Sequence, residues 1–262
     1  MRLFTLASGS GGNCCLVSDG ACHVLVDAGI SLRRIRAGLA VCGLTPDELS
    51  GLLVTHEHSD HVSGLAMLAK YHDIPVFAPR TVTNHLRWSL AGVEPHFYEL
   101  RPGTQTELGS LRVTAFHTPH DTPESVGYRL EGGVTVGICT DLGYVTDEVR
   151  DTLSGCDAAL LESNHDEVML RNGPYPVHLK RRISSERGHL SNAHCGPLAA
   201  SLAVNGARYI LLGHLSRENN RPALALDAVR GALDAARRPQ APCPISGEDA
   251  VCCVWSCFAR AE

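Results

Sequence analysis

Thr55-His56-Glu57-His58-Ser59-Asp60-His61 follows directly on the apolar stretch Gly51-Leu52-Leu53-Val54. A short apolar run of this kind reads as a buried strand, here spanning Gly51 to Thr55, and it delivers the polar residues to the edge of a core. Imidazole and carboxylate groups suit divalent transition ions. His56 and His58 stand two apart as the strand ends, so both rings can face one side and share an ion. Asp60 and His61 follow at the start of a helix and turn toward a neighbouring position. One short run therefore begins two metal positions, which in two-metal hydrolases lie roughly 3.5–4 Å apart. Four ligand-type residues so close together, behind an apolar strand, are a poor match to an incidental polar loop.

Two ions need more donors, and each downstream candidate again follows an apolar strand. His120 comes after Leu111 to Phe116, Asp141 after Val136 to Thr140, and His214 after Ile210 to Gly213. His117 competes with His120, but on strand parity from Phe116 it reads equally as a solvent-facing residue.

Working outward, strands are expected at Leu3–Leu6, Cys14–Val17, His23–Val26, Ile74–Ala78, Phe97–Leu100, Gly127–Leu130, Thr135–Thr140, Ala158–Glu162, Tyr209–Leu212 and Val251–Phe258. Helices are expected at Leu32–Val41, Val62–Tyr71, Thr81–Leu90, Pro197–Asn205 and Leu224–Arg237. Two strand-rich halves, each with helices, predict one α/β domain over residues 1–262. Its architecture is a four-layer αββα sandwich with the site along one edge where strand ends meet. Pro239-Gln240-Ala241-Pro242-Cys243-Pro244 reads as a surface loop.

Composition narrows the class. Of 262 residues, 44% are hydrophobic and 19% charged, the balance of a soluble globular protein. The net charge of -5 lacks the basic excess of many nucleic-acid binders. Two divalent ions would nonetheless place about four positive charges in one cleft. The eleven cysteines contain no C-x-x-C pair, and the neighbours Cys14-Cys15 and Cys252-Cys253 are badly placed to bridge each other. They read as small apolar residues of a reduced, cytoplasmic protein. No stretch approaches the ~20 apolar residues of a membrane span, and Met1 to Leu6 is too short for a secretion signal.

Thr55 to His61 resembles the HxHxDH signature of metallo-β-lactamase-fold hydrolases. The resemblance implies that His56, His58 and His120 hold one ion, and that Asp60, His61 and His214 hold the other. Asp141 would bridge them, with a bridging hydroxide as nucleophile. Further stretches narrow the match: Leu6 to Asn13, Val26 to Gly29, Thr140 to Tyr144, Leu161 to Asp166, Gly188 to Asn192 and Leu212 to Ser216. Together they are similar to the YycJ/WalJ group, described as 5′ to 3′ DNA exonucleases and related to tRNA 3′-processing endonucleases and small phosphodiesterases. The resemblance implies a phosphodiesterase with two divalent ions, acting on DNA in preference to RNA; sites of histidines and carboxylates accept zinc, manganese or iron, and zinc or manganese is expected. A monomer or homodimer with no membrane association is expected.

Two residues are candidates for direct catalysis. Asp60 would orient the attacking hydroxide or take its proton. His189, in Gly188-His189-Leu190-Ser191-Asn192, would protonate the leaving oxygen or grip a phosphate. Ser8, Ser10 and Asn13, in a glycine-rich loop with open amides, are candidates for binding phosphate. So are Asn164, His165, Ser191 and Asn192, with His194 behind them. Arg171, Lys180, Arg181, Arg182 and Arg187 precede His189, as a solvated face or as a track for a phosphate backbone. Rival readings are a small-molecule or cyclic-nucleotide phosphodiesterase, a related RNA-processing nuclease, a thioester or lactam hydrolase, and a non-catalytic scaffold.

Overall fold

Short apolar runs separated by Gly, Ser and Asp give strands that are buried on both faces, as sheets covered by helices on one side and a second sheet on the other require. The computed structural model describes residues 1–90, 93 and 96–237, together with the strand backbone of 252–256. The Pro239–Pro244 stretch lies outside the described residues.

The first sheet contains β1 (Arg2–Ala7), β2 (Cys14–Ser18), β3 (His23–Val26), β4 (Gly51–Leu53), β5 (Val76–Ala78) and β6 (Phe97–Glu99). The second contains β7 (Gln105–Leu108), β8 (Leu111–His117), β9 (Val126–Gly132), β10 (Val134–Cys139), β11 (Ala158–Glu162) and β12 (Tyr209–Gly213). β13 (Cys252–Ser256) returns to the first sheet and pairs antiparallel with β1. The strand orders are 13-1-2-3-4-5-6 and 12-11-10-9-8-7.

Alternation along single strands builds the layers. Val24, Val26 and Leu53 point between the sheets, into a core shared with Val113, Tyr128, Leu130, Ile138 and Leu160. Their neighbours Leu25 and Leu52 point the other way, toward Ile35 and Leu39 of α1 (Leu32–Val41) and Leu65 and Leu68 of a later helix. A third cluster lies under α8 (Asn192–Val204) and α9 (Pro222–Ala235) on the outer face of the second sheet. The αββα sandwich read from the sequence is the observed architecture.

The expected helix Val62–Tyr71 is two pieces, α2 (Ser59–Val62) and α3 (Leu65–Tyr71). The break has a clear cause in the backbone hydrogen bonds. The carbonyl of Asp60 is taken by the Asn13 amide at 2.7 Å, and that of His61 by the Ala28 amide at 2.8 Å. The Gly64 amide then turns to the Ala28 carbonyl, also at 2.8 Å. A helix whose carbonyls are diverted to distant loops stops propagating. Helix α8 begins before the expected Pro197, at Asn192, because the Ser191 hydroxyl accepts from the His194 amide and caps it. Three helices not expected from the sequence are α5 (Asp147–Leu153), α6 (Glu167–Asn172) and α7 (Val177–Ile183).

Strands β3 to β6 run parallel, as do β10 to β12. Their carboxyl ends open toward one edge, the usual place for a ligand site in parallel α/β sheets.

Candidate metal centre

Each donor stands just beyond the end of a strand. Asp27 follows β3, His56 to His61 follow β4, His120 follows β8, Asp141 follows β10, and His214 follows β12. Three of these strand-end residues, Asp27, Asp141 and His214, have left-handed backbones with φ of 61°, 59° and 54°. Residues other than glycine adopt this conformation rarely, and such strain gathers at functional sites.

His56, His58 and His120 form a triangle of imidazoles, with centroids 4.6, 5.1 and 5.1 Å apart. One donor atom of each lies within 4.8 Å of the others, and the same holds for Asp60, His61 and His214. Asp141 stands between the two groups. Its Oδ2 is 3.3 Å from His61 Nε2 and its Oδ1 is 3.8 Å from His120 Nε2.

The opposite ring nitrogens are fixed by the fold. His61 Nδ1 donates to Asp27 Oδ2 at 2.7 Å, and His214 Nδ1 to Glu162 Oε1 at 2.7 Å. His120 Nδ1 donates to the Gly188 carbonyl at 3.0 Å. These partners favour the tautomer in which Nε2 is the unprotonated, accepting nitrogen, a common arrangement around metal-ligating histidines; in His61 that nitrogen also lies 3.1 Å from Asn13 Nδ2.

Asp27 is itself held by the amide and hydroxyl of Thr55, at 2.9 Å for the amide. Glu162 is fully buried and has four donors. Oε1 accepts from His189 and His214, and Oε2 accepts from the amides of Leu142 and Leu190. Burial alone would raise its pKa, but His189 and His214 outweigh that and hold it down to about 2.

A profile of the β-lactamase superfamily domain matches residues 23–214. The chain belongs to that superfamily. It is 36% identical over 238 residues to an exodeoxyribonuclease YycJ of Bacillus anthracis, covering 89% of each chain. It is 34% identical over 226 residues to an exodeoxyribonuclease WalJ of Streptococcus pneumoniae, covering 84% of this chain and 83% of that one. The solved metallo-β-lactamase-fold protein YhfI from Bacillus subtilis superposes with a TM-score of 0.74 at 17% identity, over 97% of this chain and 99% of that one. This superfamily member is thus a metal-dependent hydrolase of the YycJ/WalJ group.

The donor set fits the divalent ions that the superfamily implies. His56 Nε2, His214 Nε2 and Asp141 Oδ2 are buried without a hydrogen-bond partner. Orphaned buried polar atoms are costly unless something else satisfies them, and three of them converging on one cluster of imidazoles and carboxylates mark a place for cations.

The remaining sequence candidates divide into two groups. Ser8, Asn13, Asn164 and Asn192 are buried, and their polar groups serve the fold. Ser8 Oγ accepts from the His214 amide, and Asn164 Nδ2 donates to the His214 carbonyl. Asn13 Oδ1 accepts from Gly9, its Nδ2 donates to Asp60 Oδ2 at 3.3 Å, and Asn192 Oδ1 accepts from Ser163 Oγ.

Ser10, His165, Ser191 and His194 line cavities next to His189, and Asn164 belongs to both groups, since it lines the smaller of these cavities. His117 is solvent-facing beside Glu148 and joins none of the donor groups. Arg187 donates to the carbonyls of His120 and Thr122, and Arg182 pairs with Asp121. The residues that sequence reasoning missed are Asp27, Thr55 and Glu162. A buried acid ending an otherwise apolar strand, as Glu162 ends β11, was the available signal.

Proposed function

We propose that this hydrolase is a binuclear phosphodiesterase that degrades DNA 5′ to 3′, using zinc or manganese. The carrying observation is the pairing of two donor groups, bridged by Asp141, with a histidine held by a buried acid beside both. The His189 ring is 5.0 Å from that of His120 and 5.2 Å from that of His214.

In this reading His56, His58 and His120 hold one ion, and Asp60, His61 and His214 the other. Asp141, with one oxygen beside His61 and the other beside His120, would serve both ions. Bound divalent ions lower the pKa of water and neutralise charge developing on a phosphate. Asp60, partly exposed and facing both His61 and His214, orients the attacking water and receives its proton. Burial acts to lower the pKa of His189, but Glu162 and Asp141 outweigh it and raise it above the ordinary value. The contact with Glu162 favours the protonated form of His189, which suits it to protonating a leaving oxygen. DNA as substrate is supported by the names of the two bacterial relatives, and by the cations of Arg171, Lys180 and Arg181 on the rim beside His189. Cysteines free of disulfides among the described residues agree with a reducing, cytoplasmic setting.

The test is digestion of 5′- and 3′-labelled single- and double-stranded DNA by metal-analysed protein, wild type against Asp141→Ala. Loss of hydrolysis in a folded variant is expected. Undiminished hydrolysis by Asp141→Ala would refute the bridged two-ion site, and a wild type that cleaves only small phosphodiesters would refute DNA as substrate.

A further inference from the structure

A cavity of about 340 Å³ lies between α6, α7 and the start of α8. None of the seven metal-donor candidates lines it, yet His189 does. His189 also lines a smaller cavity of about 180 Å³ with Ser10, Asp121 and Arg182. The histidine thus borders both cavities, while its Nδ1 lies 3.5 Å from Asp141 Oδ1 and its ring 5.0 Å from that of His120, so it stands between the donor cluster and the larger chamber. Polar and cationic side chains line the chamber together with Leu170 and Val177. His165 is 2% exposed, and its Nδ1 has no hydrogen-bond partner. Ser191 and Glu167 are joined by a 3.1 Å hydrogen bond, and Arg171, Lys180 and Arg181 supply the positive wall.

We propose that this chamber binds the 5′-terminal nucleotide of the strand, with its 5′-phosphate on the cationic wall. The inference rests on the phosphodiesterase reading above and adds a second site to it. Water attacks the phosphorus that joins the first and second nucleotides, giving its proton to Asp60. The bond from phosphorus to the 3′ oxygen of the first nucleotide breaks, and the electron pair stays on that oxygen, which takes a proton from His189. The fragment whose oxygen receives that proton must extend past His189, which is where the chamber opens.

Its size is that of a small-ligand pocket rather than a groove for a duplex. Guanidinium and ammonium groups recognise phosphate, whereas the Glu167 carboxylate repels it. The phosphate is thereby oriented to the cations, and the N–H and O–H donors of base and sugar to Glu167. Each turnover leaves a new 5′-phosphate on the shortened strand, so every product presents the group the chamber recognises.

The experiment has two arms. Binding of thymidine 5′-monophosphate and of thymidine is measured calorimetrically on the full chain with and without metal. Degradation is timed on DNA carrying a 5′-phosphate or a 5′-hydroxyl. Wild type, the double variant Arg171→Ala with Arg181→Ala, and the chamber-filling Ser184→Trp are compared. The monophosphate is expected to bind more tightly than thymidine even without metal, and 5′-phosphorylated DNA to be degraded at least about tenfold faster, as charged hydrogen bonds to one phosphate allow.

Both variants should lose the preference. Hydrolysis indifferent to the 5′ group, with no monophosphate binding, overturns the chamber and leaves the phosphodiesterase reading intact. Binding unchanged in both variants overturns it equally. Monophosphate binding lost in the variants, in a protein that hydrolyses no DNA with either metal, upholds the nucleotide site and refutes the nuclease reading.

Discussion

Oε1 of Glu162 lies 2.7 Å from Nδ1 of His214, and the same oxygen lies 2.8 Å from Nδ1 of His189. One buried carboxylate therefore sets the tautomer of a metal-donor candidate and of the proposed acid together. Glu162→Gln preserves size but places an amide NH₂ against donors at one end or the other. We expect metal affinity to fall about 10–100-fold, as for other residues that orient metal ligands, with activity lost even at saturating metal. Metal content after dialysis, measured beside activity, separates the two effects. Unchanged affinity and rate would refute the role of Glu162.

Acidification should strip the centre of metal. Burial acts to lower the pKa of His61 and of His214, but nearby carboxylates outweigh it: Asp141 and Asp27 for the first, Asp141, Asp60 and Glu162 for the second. Both are held well above the ordinary 6.5, so an entering ion displaces protons from them. Apparent metal affinity will rise with pH through the neutral range. The metal-free fold behaves oppositely: the contribution of these raised groups is full below about 6.5 and is lost as pH rises through their folded values. Thermal melts of chelated protein from pH 6 to 9 should show this decline. A rising melting temperature across that range would contradict it.

Gly29 has no room for a side chain. A Cβ there would sit 1.7 Å from the Asp60 carbonyl oxygen and 2.7 Å from the Asn13 amide nitrogen. Gly29→Ala must push the Asp60 loop away, costing on the order of 3 kcal/mol or more. Denaturant unfolding is expected to show that loss, with reduced metal binding in whatever folds. A variant with wild-type stability would show that the loop gives freely.

Tyr128 crosses the core to donate its hydroxyl to the Val54 carbonyl at 2.6 Å, directly before the histidine run. Tyr128→Phe leaves that carbonyl buried and unpaired, at a cost of about 1–3 kcal/mol. The melting temperature should fall by several degrees while the donor residues keep their places. Unchanged stability would mean that water replaces the hydroxyl.

The donor run was legible because its information is local: four donors within six positions behind an apolar strand. Helix α1 was legible for the same reason, since Leu32, Ile35 and Leu39 share a face and Ser31 caps it. The split between α2 and α3 was not, because it depends on carbonyls captured by Asn13 and Ala28, far away in sequence. Asn13 read as a phosphate-facing loop residue for a similar reason: its partner Asp60 is 47 residues away and becomes visible only when the loop after β1 meets the loop after β4. Helices α6 and α7 are short, and Val168 and Val177 face outward, which left no apolar stripe to find.

The donors come from both sheets. His56, His58, Asp60 and His61 ride on the first, whereas His120, Asp141 and His214 ride on the second. Ions held there would rivet two halves of the sandwich across their open seam. Occupancy of the centre then becomes a gauge of how tightly the halves are docked, and any motion that parts the sheets also releases the ions.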